Sequence, residues 1–446
     1  MNIRLQNYWD ELRASYWFVP SLMVLFAIGL SFATLNFDRA QHATAARLQL
    51  FWGGGPEGAR GLLEVIAGSM MTVASLTFSL TIVTFSQASA QFGPRLLRNF
   101  IRDTGNQVVL GTFVSTFVYC LLILRSIRSA VEAQPGLAGV EAFVPEFSIS
   151  VGIVLALLSL GVLIYFIHHV SQSIYAPNVI ANVAQDAMLA IDRLFPKEED
   201  PLALPAEASR APSLPDGFLQ NAARLSAKLS GYLQVVDYYH LLAIASKYDL
   251  IIQVMHRPGH FVIYSEDLAL VWPSERVTER LLSDISRGFI LGKQRIAPQD
   301  VEFAIDQLVE IALRALSAAI NDPFTAINCI DWLGVALSRL AQKDIPPPYH
   351  VDSRGQVRLV LTHSITFAGV TDAAFNQIRQ QAGNQVAVRI RLLEVIAEIA
   401  DHTADPVELE ALERQASMIR RGSEKHLEEQ NDIADLNERF NEVSNE

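Results

Sequence analysis

Gly68, Thr72, Ser75, Ser79 and Ser86 lie in one apolar stretch of the chain, and at 100° per residue they fall within about 60° of one another on a helix. Hydroxyls held in such a stretch can replace part of an ion's hydration shell, which is the chemistry of a pore or substrate path. Glu64 stands about 40° off this stripe, where a carboxylate would draw cations to a mouth. Phe78, Phe85 and Phe92 repeat every seven residues on an adjoining face. Phe78 and Phe85 are therefore candidate constrictions, because phenyl rings can gate a path by dewetting. The stripe has a second reading. Small and hydroxyl residues also let transmembrane helices pack closely, as Gly111 and Ser115 would on the following span. Thr72, Ser75, Ser79 and Ser86 are thus candidate path-lining residues or a packing face.

The stripe leads through Gly93-Pro94 to Arg95, Arg98 and Arg102, which share one helical face at spacings of three and four. They suit lipid phosphates, a carboxylate of the carboxyl half, or an anion at an inner mouth. Far downstream, Asn321-Asp322-Pro323 reads as a helix start, with Asp322 capping and Pro323 in the first turn. Its other reading makes Asn321 and Asp322 cation ligands or partners of Arg295 or Arg314. Glu302, Asp306, Glu310 and Arg314 recur every four residues and read as a solvated charged face rather than a metal site.

Motifs for covalent or metal chemistry are missing. There is no G-x-S-x-G, and Gly288 to Lys293 is one residue short of a phosphate loop and lacks its Ser/Thr. His256 and His260 flank a Pro-Gly turn and so share no helix face, while His168 and His169 close an apolar span. Cys120 and Cys329 are the only cysteines, too few for a disulfide framework or a thiolate zinc site. No catalytic residue, metal or cofactor is expected, and the chain is read as something other than an enzyme.

The elements that position these residues follow from composition. Of 446 residues, 50% are hydrophobic and 18% charged, against about a quarter charged in ordinary soluble domains. The formal charge of −12 argues against a nucleic-acid partner. Four stretches, Trp17–Leu35, Leu62–Phe85, Val108–Leu124 and Phe147–Ile167, approach the ~20 residues that cross a bilayer. Ser31-Phe32-Ala33 resembles a signal cleavage site, but Asp10 and Glu11 spoil the basic leader. Either way the carboxyl half lands on the inner side. The arginine count ties, with Arg4, Arg13, Arg95, Arg98 and Arg102 against Arg39, Arg47, Arg60, Arg125 and Arg128. A long acidic half with so little cysteine favours the cytoplasm.

The fold class expected is an α-helical membrane domain of four transmembrane helices followed by a soluble, mostly helical α+β cytoplasmic domain. Residues 1–175 form the membrane domain and 176–224 a connecting helix with a Pro- and charge-rich linker. Residues 225–274 form a small α+β module, 275–421 a mainly helical domain and 422–446 an acidic tail. Strands are expected at Tyr232–Val236, Leu250–Val254, Phe261–Tyr264 and Gln356–Thr362. Helices are expected at Tyr238–Lys247, Glu275–Arg287, Asp300–Leu316, Pro323–Gln342, Asp372–Gln381, Asn384–His402 and Val407–Arg421.

The runs Ser75 to Thr81, Gln87 to Arg95, Phe100 to Asp103 and Gln107 to Phe113 resemble the bacterial family catalogued as domain of unknown function 2254. Gln299-Asp300, Arg314 to Ser317 and Ile320 to Ala326 resemble that family's second signature, departing at Ala318, where the family pattern has Pro. The resemblance implies an integral protein of the bacterial inner membrane with a cytoplasmic carboxyl region and no established reaction. The function expected is an oligomeric ion channel or transporter with a cytoplasmic assembly or gating domain. The alternative is a non-conducting scaffold or sensor. The partners expected are the lipid bilayer, further copies of the chain, and an ion or small molecule.

Overall fold

The computed structural model describes residues 15–42, 55–93, 103–128, 143–195 and 214–444. The chain divides into two compact units, Met1–Tyr175 and Ala176–Glu446.

In the first unit, helices α1 (Phe18–His42), α2 (Pro56–Phe92), α3 (Thr104–Leu124) and α4 (Glu146–Ser173) are each long and apolar enough to cross a membrane. Each outruns its apolar core. The 37 residues of α2 rise about 55 Å at 1.5 Å each, beyond the ~30 Å of bilayer hydrocarbon. Pro56 sits in its first turn, and Gly93, at φ 107, ends it, a conformation glycine adopts without a Cβ penalty.

Helix α3 packs against the other three and is the most buried. Close approach to α1 requires Gly111, where an added Cβ would stand 3.2 Å from Pro20 Cα. Leu63, Tyr119, Ile123 and Ile149 form one apolar cluster, and Ala74, Val109, Phe113 and Phe166 another. Asp38, near the end of α1, accepts from the Phe147 and Ser148 amides at 3.0 Å each and from Ser148 Oγ at 2.5 Å. It thereby supplies acceptors to the otherwise unpaired first turn of α4.

The second unit holds α5 (Ala176–Leu194), β1 (Ala223–Ser226), β2 (Gly231–Val236), α6 (Tyr238–Tyr248), β3 (Ile251–Val254), β4 (Phe261–Val262), β5 (Asp267–Trp272), α7 (Glu279–Ser286) and β6 (Phe289–Gly292). It continues with α8 (Val301–Ala315), α9 (Pro323–Ala341), β7 (Tyr349–Val351), β8 (Val357–Leu361), α10 (Phe367–Gln381), α11 (Val386–Ala400), α12 (Pro406–His426) and α13 (Gln430–Ser444). A five-stranded sheet runs β1-β5-β3-β8-β7, and a three-stranded sheet runs β4-β2-β6. The sole parallel pair among the described strands is β3 with β8.

Four expectations change. The module at 225–274 does not close on itself: Ile252 to Val254 pair with Leu359 to Leu361, and β2 takes β6 as its other neighbour. The parallel pair of β3 with β8 needs a long crossover, so its partner comes from far along the chain. The helix expected over Glu275–Arg287 begins instead with a 3₁₀ turn, Ser274–Arg276, and restarts where Thr278 accepts from the Leu281 amide. Helix α5 is more than a connector. Its Val179, Ile180, Val183, Ala187 and Ile191 are buried, the helix packs on α8 and α9, and Asp192 binds Arg339 and Lys343. The acidic tail carries α13, whose Leu436, Phe440 and Val443 are buried at helical spacing. The linker stretch 196–213 lies outside the described residues.

Candidate functional site

The hydroxyl stripe belongs to α2. Gly68, Thr72, Ser75, Ser79 and Ser86 all lie on its exposed face, together with Glu64. Among the described residues, no atom beyond the adjoining residues and local backbone of α2 comes within 4 Å of a Cβ built on Gly68. Thr77, Thr81 and Thr84 hold the buried face instead. Along the exposed face the hydroxyls bond back one turn: Thr72 Oγ1 donates to the Gly68 carbonyl at 2.9 Å, Ser75 Oγ to Met71 at 3.0 Å and Ser79 Oγ to Ser75 at 2.9 Å. Such bonds satisfy each hydroxyl proton within the helix and leave the oxygen lone pairs outward.

Phe78 is exposed and Phe85 buried, so they do not face each other across a lumen within one chain. Both line a groove of about 670 Å³ with Tyr16, Ile82, Ser86, Ser89 and Ala90. Arg95, Arg98 and Arg102 lie outside the described residues.

Beyond that segment is a pair that sequence reading missed. Asp103 caps α3 by accepting from the Gly105 amide at 2.8 Å, and its Oδ2 lies 2.5 Å from His169 Nε2 at the end of α4. Tyr165 stacks on the same imidazole at 5.3 Å between centroids. The signal available was Asp103 beside Gly105, a cap followed by a residue without a Cβ.

In the second unit, Asp322 accepts from the Thr325 amide at 3.1 Å and from its hydroxyl at 2.6 Å, and Pro323 opens α9. That hydroxyl bond holds the Asp322 carboxyl below its ordinary range. Asn321 takes a left-handed φ of 49, and its Oδ1 accepts from Gln385; asparagine tolerates that conformation. Neither residue meets Arg295 or Arg314. Arg295 holds Asp300 and Asp306, each at 2.7 Å, and Arg314 faces Glu310 at 3.5 Å.

The face at Glu302, Asp306 and Glu310 is consequently paired and largely covered rather than solvated. Glu302 binds Arg257 at 2.6 Å, and Arg257 Nε donates to His260 Nε2 at 3.1 Å. His260 has His256 and His363 as ring neighbours at 6.1 and 5.2 Å. Burial, then Arg257, His363 and His256, push the His260 imidazole down to about 4. Among the described residues no group of three or more His, Cys, Asp or Glu is arranged to hold a metal ion.

The family described as "Predicted membrane protein (DUF2254)" matches this chain over residues 13–398. Uncharacterized proteins from Mycobacterium bovis and Mycobacterium tuberculosis are each 31% identical to it over 435 residues, covering 95% of this chain and 79% of theirs. No solved structure matches the chain.

Proposed function

Since the chain belongs to the DUF2254 family of membrane proteins, we propose that it acts as an oligomer in which the α2 faces of neighbouring copies line a path for cations, while the second unit assembles or gates it. The observation that carries this reading is the exposure of the whole hydroxyl stripe. The four-helix core is filled with side chains, so a path between copies fits better than one inside a chain. A hydroxyl whose proton is held by its own helix offers only lone pairs to a solute, which suits a cation, and Glu64 adds negative charge on the same side. Phe78 at the groove is the constriction in this arrangement, with Arg95, Arg98 and Arg102 at the inner mouth or on lipid phosphates. The carboxyl half is assigned to the cytoplasm of a bacterial inner membrane because it is acidic and poor in cysteine.

Purified protein in liposomes should conduct potassium above the rate of empty vesicles. Ser79→Leu should lower that flux and Phe78→Ala should raise it. Flux unchanged by both substitutions would overturn the assignment.

The same backbone bonds support a second reading, a non-conducting scaffold or sensor. Hydroxyls satisfied within α2 need no water and can pack against another helix. Under that reading, liposomes carrying the protein show no flux although the copies still associate.

A further inference from the structure

Phe324 is the most exposed large hydrophobic side chain among the described residues, at 79%, and Ile320 of the same turn is 48% exposed. Ala318 and Ala319 are exposed as well, so the turn from α8 into α9 carries an apolar cap. Between 316 and 324 the only charged residue is Asp322, and its carboxylate is engaged by the Thr325 amide and hydroxyl. Hydrogen bonds fix the turn. The Asp322 amide donates to the Ala315 carbonyl and the Asn321 amide to that of Ser317, each at 2.8 Å, and Asn321 Oδ1 accepts from Gln385 Nε2 at 3.0 Å. A clustered apolar surface held out in this way marks an interaction site.

Helix directions within the second unit place this cap. Asp192, in the last turn of α5, binds Arg339 in the last turn of α9 and Lys343 just beyond it. Helix α5 packs its buried face on α9, so these two helices of 19 residues run in the same direction. Helix α8 packs on both and runs back against α9 through the turn at 316–322. The start of α5 and the α8–α9 turn therefore share one end of the unit. The chain arrives at that end straight from a span, since α4 closes at Ser173 and α5 opens at Ala176. Three Cα-to-Cα steps cover at most about 11 Å. The apolar run of α4 has already given out at His168 and His169, so this end is tethered at the surface of the bilayer that α4 is apolar enough to cross.

We infer that Ile320 and Phe324 insert into the interfacial layer of the membrane and dock the second unit on the lipid surface. The occupant of the cap is the phospholipid interface, where phenyl and aliphatic side chains bury at the boundary of headgroups and acyl chains. With no Lys or Arg between 316 and 324, the contact is apolar and needs no anionic headgroup. It holds whether or not α2 lines a path.

The test uses the full chain, in a background lacking Cys120 and Cys329, with Phe324→Cys or Ile320→Cys labelled by a fluorophore in phosphatidylcholine nanodiscs. Both native side chains are exposed, so both variants should fold and melt like the background. Nitroxide-bearing phosphatidylcholine should quench both labels, and aqueous iodide should spare them. Val335→Cys marks an exposed site on the same helix, about 16 Å further along at 1.5 Å per residue. Its label should respond in the opposite way, losing fluorescence to iodide and not to the nitroxide lipid. Added phosphatidylserine or raised salt should leave the pattern as it is. Labels at 320 and 324 that iodide reaches and the nitroxide lipid does not would overturn the inference. Shielding from both quenchers would also overturn it and assign the turn to a second copy of the chain. Lipid quenching as strong at 335 as at 324, or quenching that needs phosphatidylserine, would contradict it as well.

Discussion

Asp103 ties the start of α3 to the end of α4, with its Oδ2 2.5 Å from His169 Nε2 while its Oδ1 caps the helix at Gly105. The two roles are separable. Asp103→Ala should cost about 1–2 kcal/mol for the cap alone and more with the histidine contact, whereas Asp103→Asn should keep most of the cap. Gly105→Ala should resemble the alanine variant, because its Cβ would stand 2.8 Å from His169 Nε2 and 3.0 Å from Asp103 Oδ1. Melting temperatures in one detergent should rank wild type above Asp103→Asn, and Asp103→Asn above both Asp103→Ala and Gly105→Ala.

Asp38 is buried and supplies the acceptors for two α4 amides. Asp38→Ala leaves those donors without a partner, at about 1–3 kcal/mol each. A large fall in thermal stability is expected, and a fall no greater than that of an exposed-site control would contradict the capping role.

The pH dependence of the second unit should carry a His260 component. The unfolded chain binds a proton on this residue near 6.5, but the folded chain does so only at about 4. The unfolded state therefore holds more protons between these values, and stability falls as pH drops from about 6.5 to about 4. His256, His363 and Arg257 raise the cost of protonation, and Asp300 lowers it. Melting curves at pH 7 and pH 4.5 should show a smaller drop for His260→Gln than for wild type. Equal drops would remove His260 from the account.

Helices α9 and α11 cross where Gly334 faces Val395, and a Cβ there would stand 2.5 Å from Val395 Cγ1. Gly334→Ala should destabilise by about 1–3 kcal/mol through overpacking. Gly334→Ala combined with Val395→Ala should recover part of the loss, as measured by thermal unfolding.

The spans and most helices of the second unit were legible because an apolar run or an i, i+3, i+4 pattern is local. Helix starts were legible for the same reason at Asp300 and Asp322, whose side chains accept amides three residues on. Strand β5 was not: Leu268 to Val271 are all buried, and a short apolar run without alternation does not distinguish strand from helix. The α13 helix hid behind its acidic composition, although Leu436, Phe440 and Val443 carry the period. The clusters were out of reach in principle. Arg257 meets Glu302 and Asp103 meets His169 across 45 and 66 residues, distances bridged only by tertiary folding. The exposure of the α2 stripe belongs to the same class, since periodicity gives a common face but not what lies opposite.

Whether that face meets water is best measured by cysteine accessibility along α2. In a background lacking Cys120 and Cys329, single cysteines at positions 72 to 86 are labelled in membranes with a water-soluble thiol reagent. A hydrated path predicts periodic labelling at 72, 75, 79 and 86, with protection at 77, 81 and 84. Uniform protection across all of them would contradict the path and leave the stripe as a packing surface.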